Sequence, residues 1–304
     1  MKEAVAFAPC HITGLFHMFD QTADALHAGS TGAGVCLELG AQTTVNIRKG
    51  AKFSVRVRIN NHTADAAQVS KHVVTTFLSR FSEMRNYEIA VEHHVGTPIG
   101  AGFGTSGAAA LSLAIALNEA FDLGMPKIEA AQIAHTSEIE CRTGLGTVIA
   151  ETFGGLEIRI KPGAPGIGEV KRLSVPENTE IACLAFGPLS TRKILTDKAT
   201  RTRINRIGGK LINELVEKPT IINFMRLSRQ FAEHVGLVTE KVRYILDAMD
   251  QAGIVCSMPM FGESVFTVTC EENVGQILGL FRERGPNGRT IVSKIDREGA
   301  RLLQ

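Results

Sequence analysis

The sequence predicts an α+β fold, and three features of its 304 residues support that class. Strand-like runs with alternating apolar residues, such as 53–59 and 87–92, are interleaved with helical patterns in no regular βαβ order. The helical patterns place apolar residues three and four positions apart, as over 70–85. Neither an internal repeat nor a low-complexity tract is visible, which argues against solenoids and propellers.

Each element of the first half has its own signal. The apolar run 3–8 predicts a strand that ends at Pro9. Two long apolar helices follow the next strands, over 106–122 and 127–142, and glycines beyond each one are typical stop signals. Residues 155–160 then predict a further strand.

The second half alternates again after the stretch 161–170, which is the part of the chain richest in proline and glycine. We therefore expect one domain over 1–168 and another over 169–304. The predicted strands there are 180–187, 264–270 and 289–296, and the predicted helices are 196–217, 220–234, 239–252 and 272–284.

Composition excludes several classes of protein. With 44% hydrophobic and 21% charged residues, the chain has enough apolar surface for a folded core. A net charge of +2 is too balanced for a nucleic-acid binder that relies on bulk charge. The longest apolar run, 108–117, falls well short of the roughly 20 residues that span a bilayer. The six cysteines form no C-x-x-C pair, so we expect no zinc site, and we expect a cytoplasmic protein without a membrane partner.

The strongest motif is P-I-G-A-G-F-G-T-S-G-A at 98–108, directly before a predicted helix. Glycines let the backbone approach a ligand and adopt positive φ, and a helix start near Ser106 offers free N–H groups. Together they predict a phosphate cradle, with hydroxyls of Thr105 and Ser106 available to phosphate or magnesium. The simpler interpretation is a tight turn with a serine N-cap. A Walker loop is excluded because no lysine follows, and the last glycine spacing does not fit a Rossmann loop.

This motif resembles the second motif of the GHMP kinases, P-x-G-x-G-x-G-[ST]-S-[AG]-A. The segment A-P-C-H-I-T-G at 8–14 is similar to the first motif of that family, and 258–266 occupies the place of its third. Within the family the chain resembles the archaeal-type pantoate kinases. The segments that carry this resemblance are 8–14, 29–34, 134–146 and 186–191.

The resemblance implies a GHMP kinase fold, with an N-terminal α+β domain, a ferredoxin-like C-terminal domain and the active site in the cleft between them. It implies ATP-dependent phosphorylation of pantoate to 4-phosphopantoate, on the way to coenzyme A, with Mg²⁺ as the metal. A homodimer is a common outcome for soluble enzymes and is the expected assembly.

The resemblance also implies roles for individual residues. The residues that bind ATP are Pro98, Gly100, Gly102, Gly104, Thr105, Ser106 and Gly107. The positions expected to be catalytic are Ser106, Glu138 and Thr147, of which Ser106 and Glu138 also hold the metal. The expected substrate contacts are Ser30, His135, Arg159, Ser190 and Thr191.

Each role has a purely structural alternative. Glu138 could pair with Arg142 one turn on, as is common on helix surfaces. Arg159 could be a solvent-facing strand residue paired with Glu157. Ser30 could be a turn residue, and His135 a satisfied core histidine.

Three positions depart from the family pattern. Cys10 stands where glycine is usual, Thr31 where a cation is usual, and Thr147 where an aspartate serves as presumed base. A threonine hydroxyl does not take up a proton near neutral pH, so its presence predicts a slow enzyme rather than a dead one. Glu151 is the nearest remaining acid, and reaching the same hydroxyl from there requires a different backbone path.

Two other hypotheses therefore stay open beside an active pantoate kinase. One is a catalytically degenerate relative that binds nucleotide or pantoate and regulates coenzyme A synthesis. The other is a GHMP kinase for another small hydroxy acid or sugar.

Overall fold

The computed structural model describes residues 2–189 and 197–303, so the predicted substrate contacts Ser190 and Thr191 lie outside the described residues. The elements of the first half are β1 (Lys2–Phe19), β2 (Gly29–Lys49), β3 (Ser54–Ile59), β4 (His62–Thr63), α1 (Gln68–Arg80), β5 (Tyr87–Val95), α2 (Thr105–Ala120), α3 (Lys127–Cys141), α4 (Thr147–Phe153), β6 (Leu156–Lys161) and β7 (Glu169–Arg172). Those of the second half are β8 (Thr179–Pro188), α5 (Lys198–Glu217), α6 (Ile221–Val235), α7 (Glu240–Gln251), β9 (Gly262–Cys270), α8 (Glu271–Arg284), β10 (Arg289–Lys294) and β11 (Arg301–Leu303).

The larger sheet is built on a long antiparallel pair, β1 and β2. Its strand order is β11-β1-β2-β5-β3-β4, and β6 pairs with β2 and with β7. The pairing of β1 with β2 runs from Lys2 opposite Ile47 to Phe19 opposite Gly29, with irregularities near Pro9 and Thr13. These irregularities flank His11 and Thr13, which line a cavity, and register irregularities are common beside functional sites.

Helix α2 forms the centre of the N-terminal core. It is rich in alanine and leucine, and residues such as Leu111, Leu113 and Leu117 are fully buried. Full burial of one leucine side chain contributes about 1.5–3 kcal/mol. A helix that is apolar nearly all round must be covered on all sides, and here β1, β2 and α3 cover it. Its buried position fixes where the N-terminus of α2 points.

A smaller antiparallel sheet, β10-β8-β9, carries the second half of the chain. Helix α5 packs directly on the larger sheet, where a Cβ on Gly208 would lie 2.2 Å from the carbonyl oxygen of Phe16. Strand β7 and the C-terminal strand β11 both pair into the larger sheet, with β6 and β1 respectively. The two halves therefore share strands, and a boundary between 168 and 169 stays a prediction.

The predicted α+β class is confirmed, and every predicted helix and strand in the described residues has a counterpart. The sequence patterns do not predict β2, β4, α4, β7 and β11. They predict only the first third of β1. Strand β2 was missed because its first nine residues are all buried, so apolar and polar residues do not alternate there.

Candidate active site

The glycine loop connects β5 to α2 in the way the sequence predicts. Gly100, Gly102 and Gly104 have φ values of +77°, +90° and +63°, which L side chains rarely adopt. Gly104 is the N-cap of α2. Because glycine has no side chain to cap the helix, the N–H groups of the first turn stay accessible. Free N–H groups and the positive end of the helix dipole therefore face the adjoining cavity, which is the arrangement that binds phosphate.

The C-terminal half holds this loop from the other side. The hydroxyl of Ser264 donates to the carbonyl oxygen of Ala101 at 2.9 Å. A Cβ on Gly262 would lie 1.9 Å from that same oxygen, so only glycine fits there. The N–H of Met260 donates to the carbonyl oxygen of Thr13 at 3.0 Å. Part of the segment 258–266, the predicted third motif, thus contacts both the glycine loop and the first motif.

Glu138 on α3 reaches the start of α2. Its Oε2 accepts a hydrogen bond of 3.2 Å from Ser106, and its Oε1 accepts one of 2.6 Å from Thr143. Burial raises the pKa of the Glu138 carboxyl to about 7, against the hydrogen bonds from Thr143 and Ser106, which lower it. The described residues show no ion pair between Glu138 and Arg142, so that alternative is wrong for this structure.

The oxygens of Ser106 and Glu138 fit a magnesium ion. Both are hard ligands, and they converge where the glycine loop would hold phosphate. Within 2–189 and 197–303, no group of three or more His, Cys, Asp or Glu side chains forms a metal cluster. Mg²⁺ is usually held by one or two carboxylates together with substrate phosphates and water, a set to which Glu138 and Ser106 can contribute.

A buried ion pair lies across the cavity on β6. Arg159 is 1% exposed, and its Nη1 donates to Oε1 of Glu157 at 2.6 Å. The predicted alternative of a solvent-facing Arg159 is therefore wrong, although the pairing with Glu157 is present. His11 on β1 contacts the same carboxylate oxygen through Nε2 at 2.9 Å.

The His11 ring is neutral in this cluster. Its burial lowers its pKa, which outweighs the opposite effect of the Glu157 carboxylate. A neutral ring that donates from Nε2 to Glu157 accepts at Nδ1, and the Thr13 hydroxyl lies 3.2 Å from that atom. His11 and Thr13 thus hold Glu157, and through it Arg159, in one orientation.

One donor of Arg159 is left over. Its Nε is buried and has no hydrogen-bond partner among the residues that the structure describes. A Cβ on Gly146 would lie 3.2 Å from this Nε and 2.2 Å from the Ser30 hydroxyl, so both groups border Gly146. A guanidinium N–H beside a hydroxyl is suited to a carboxylate.

A single cavity of about 220 Å³ joins these groups. The predicted site residues that line it are Ser30, Gly100, Gly102, Gly104, Thr105, Ser106, Glu138, Thr147 and Arg159. Phe261 and Met260 close it from the C-terminal half, so it lies between the two halves of the chain. The sequence predicts no catalytic or binding role for His11, Thr143, Glu157, Met260 or Phe261. His11 lies inside the first motif, Met260 and Phe261 lie inside the segment of the third, and Glu157 is expected only as a structural partner of Arg159.

His135 lies behind the cavity wall. It is 1% exposed, and its Nε2 is 3.0 Å from the carbonyl oxygen of Ala28 and 3.2 Å from that of Ala25. The ring thus braces the turn that leads into Ser30, and it is absent from the cavity lining. Its predicted contact with substrate stays a prediction.

Thr147 begins α4 at the cavity, and Glu151 follows one turn later. Thr147 lines the cavity, whereas Glu151 is fully buried behind it. Both carboxyl oxygens of Glu151 lack a hydrogen-bond partner among the described residues. Burial and the nearby Glu138 raise the pKa of Glu151 well above its usual value, and Arg159 opposes them.

A cavity between two halves of the chain, with a glycine loop at a helix N-terminus, is an arrangement suited to phosphoryl transfer. The family model "GHMP kinases N terminal domain" matches residues 68–155. A solved structure titled as a phosphotransferase related to the CoA biosynthesis pathway superposes with a TM-score of 0.89 and 30% identity, over 99% of this chain and 98% of the other. Mevalonate diphosphate decarboxylase from Staphylococcus aureus shares the fold, with a TM-score of 0.76 and 16% identity over 100% and 98% of the two chains.

Curated relatives indicate a specific group of kinases within this fold. The chain is 34% identical to a pantoate kinase of Methanocaldococcus jannaschii over 276 residues, which are 91% of this chain and 96% of the relative. It is also 34% identical to a pantoate kinase of Thermococcus kodakarensis, over 88% of each chain. The chain therefore belongs to the family of GHMP kinases that contains the pantoate kinases. No helix in the described ranges is long and apolar enough to cross a membrane.

Proposed function

We propose that this protein is an ATP-dependent, magnesium-dependent pantoate kinase that forms 4-phosphopantoate for coenzyme A synthesis. The relatives named as pantoate kinases support the substrate, and the geometry supports the reaction. The observation that carries the proposal is the convergence of two kinds of site on the segment 144–147. A Cβ on Gly144 would lie 2.2 Å from Glu138, and one on Gly146 would meet Ser30 and Arg159.

Each group has a task in this reaction. The N–H groups of the glycine loop and of the first turn of α2 bind the nucleotide phosphates. Ser106 and Glu138 hold Mg²⁺, which neutralises the charge on the transferring phosphoryl group when bound. Ser30 and Arg159 bind the pantoate carboxylate, with Glu157 fixing the guanidinium. The hydroxyl to be phosphorylated then lies near Thr147, between the two sites.

The experiment is to measure ADP release from Mg·ATP with and without pantoate, and to identify the product by mass. Pantoate-dependent ADP release and a 4-phosphopantoate product are the expected result. Mevalonate and homoserine serve as comparison substrates, since both belong to kinases of this fold. ADP release with one of these and none with pantoate would overturn the proposed substrate.

Thr147 favours a second candidate, a degenerate relative that binds ligands without turnover. That candidate predicts that ATP and pantoate bind in calorimetry while no ADP is released. The cytoplasmic location and the homodimeric state also belong to the proposal, and sedimentation of the purified protein tests the latter.

A further inference from the structure

Phe16 and Arg159 lie on the same face of the larger sheet, with Gly32 between them. Phe16 is opposite Gly32 in the pairing of β1 with β2, and Arg159 is opposite Gly32 in the pairing of β6 with β2. Residues directly opposite each other in paired strands share a face of the sheet. A Cβ on Gly32 would lie 2.5 Å from Arg159 Nη2 and 3.0 Å from Phe16 Cβ, so both side chains border this glycine. An aromatic side chain therefore neighbours the guanidinium that is proposed to bind the substrate carboxylate.

A second aromatic ring packs on Phe16 from the C-terminal half. The Phe261 ring lies edge-on to the Phe16 ring, with 5.5 Å between the centroids and an interplanar angle of 75°. The fully buried ring of Phe231 also packs on Phe16, at 5.6 Å between the centroids. Phe16 and Phe261 both line the cavity. The core thus holds Phe16 in place, and the two lining rings form an apolar surface that we call the aromatic wall.

The backbone of Phe261 has a conformation that aromatic residues rarely adopt. Its φ is +68°, in the left-handed region, where a bulky side chain is strained. Such strain persists only where the surroundings determine it. The preceding Met260 N–H donates to the Thr13 carbonyl oxygen, and the following Gly262 lies where no Cβ fits beside Ala101. The turn by itself would favour glycine or asparagine, so the contribution of the phenyl ring lies in what it contacts.

Pantoate carries hydrocarbon at one carbon of its chain. Two methyl groups lie on the carbon between the one that bears the carboxylate and the hydroxymethyl group to be phosphorylated. If Arg159 and Ser30 bind the carboxylate and the hydroxymethyl group lies near Thr147, the methyl groups lie between these points. The polar side chains of the cavity are suited to the carboxylate, the metal and the phosphates. The aromatic wall is the apolar surface that the sheet register places beside Arg159.

We propose that Phe16 and Phe261 determine substrate specificity by packing against the two methyl groups of pantoate. This inference rests on the proposed function and deepens it, because it names the part of the substrate that is recognised besides the carboxylate and the hydroxyl. Contact with the rings removes the apolar surface of the methyl groups from water, which an unbranched hydroxy acid cannot match.

The first test needs only the wild-type protein and three substrates. These are pantoate, the same hydroxy acid with one methyl group removed, and the same acid with both removed. Because one carbon in an apolar pocket changes kcat/KM by about 10–200-fold, we expect a loss of that size for each methyl group removed. Steady-state ADP release with Mg·ATP measures it. Equal kcat/KM values for the three acids would overturn the proposal without any variant.

Variants of the aromatic wall then test the two rings. Phe261→Gly and Phe261→Asn remove the ring, and both new residues tolerate positive φ, so the turn can keep its backbone. Both variants, and Phe16→Ala, are expected to lower the ratio of kcat/KM for pantoate to that for the acid without methyl groups by about tenfold or more. This ratio compares two substrates of one preparation, so it does not depend on the fraction of folded enzyme. Phe121→Ala is the matched control, because Phe121 also makes an edge-on ring pair, with Tyr87 at 5.1 Å, at a different surface groove.

The outcomes separate this proposal from the proposed function. A purely structural role of the rings predicts an equal loss with every substrate, and an unchanged ratio in the variants would overturn the proposal. A raised KM for ATP with an unchanged ratio would place the rings at the nucleotide and overturn it as well. In both cases phosphorylation of pantoate by the wild type leaves the proposed function intact. A wild-type protein that binds ATP and releases no ADP with pantoate overturns the proposed function, and the role of the aromatic wall with it.

Discussion

Ser106 on α2 and Glu138 on α3 are joined by a hydrogen bond of 3.2 Å, from Ser106 Oγ to Glu138 Oε2. The contact crosses 32 positions of sequence and brings two hard oxygen ligands to the N-terminus of one helix. The Thr143 hydroxyl holds the other carboxyl oxygen at 2.6 Å, so the carboxylate is fixed before any ligand arrives. This pre-organisation is the property that a metal site for phosphoryl transfer needs.

Replacing the carboxyl of Glu138 by an amide tests the proposed metal site. Glu138→Gln is expected to lower kcat by about a hundredfold or more, since a fixed charge at the transferring phosphoryl group is lost. It is also expected to raise the Mg²⁺ concentration that gives half-maximal rate. Glu140→Gln is the matched control, because Glu140 is an exposed acid on the same helix that pairs with His72 at 2.8 Å. Steady-state kinetics over a magnesium titration measure both effects, and an unchanged magnesium requirement would contradict the assignment.

Arg159 is expected to control affinity for the acid substrate. Arg159→Lys keeps a positive charge beside Glu157 but removes the Nε donor that meets Ser30 near Gly146. Loss of one charge-assisted hydrogen bond predicts a rise of about tenfold to hundredfold in KM for pantoate, with KM for ATP unchanged. Arg48→Lys, in an exposed pair with Glu88, is the control and is expected to change neither constant. A rise in KM for ATP alone would place Arg159 at the nucleotide instead.

The glycine loop was predictable because its signal is local. Gly100, Gly102 and Gly104 mark positions that need positive φ, and the apolar run behind them marks the helix. The role of Glu138 at the loop follows from the family resemblance alone, since the spacing on α3 by itself favours an ion pair with Arg142. Whether Glu138 is buried beside Ser106 or exposed beside Arg142 depends on how α3 packs against α2.

The buried half of the site was harder to predict. Glu157 lies two positions before Arg159 on one strand, so the pair shares a face. Nothing in the sequence indicates that this strand lies inside the sheet, paired with β2 on one side and β7 on the other. The placement of Glu151 is hard to predict for a related reason. The helix α4 has seven residues and follows a glycine-rich segment, so it is too short for a periodic pattern of apolar residues to predict it. Without that helix, residues 147 and 151 have no common face.

Gly262 is expected to be essential for the contact between the two halves of the cavity. In Gly262→Ala the new Cβ would lie 1.9 Å from the backbone oxygen of Ala101, so the glycine loop must shift. We expect KM for ATP to rise by about tenfold or more, because the loop is the proposed binding site of the phosphates. Gly279→Ala is the matched control, since a Cβ there meets no described atom within 4 Å and alanine favours the helix by about 0.5–1 kcal/mol. Equal KM values for ATP in the two variants would show that the loop tolerates the shift.

Glu151 also predicts a dependence of stability on pH that is independent of catalysis. Its pKa is raised in the folded protein, mainly by burial, so the native state keeps a proton that the unfolded state releases above about pH 4.3. Stability therefore falls with rising pH, by up to about 1.4 kcal/mol per pH unit, between that point and the folded pKa. Glu151→Met has no such titration. Between pH 4 and pH 7, its free energy of unfolding is therefore expected to rise by about 1–3 kcal/mol relative to that of wild type. Urea unfolding at both pH values measures the gain, with Glu140→Met as the exposed control, and the same advantage at both values would show that Glu151 has an ordinary pKa.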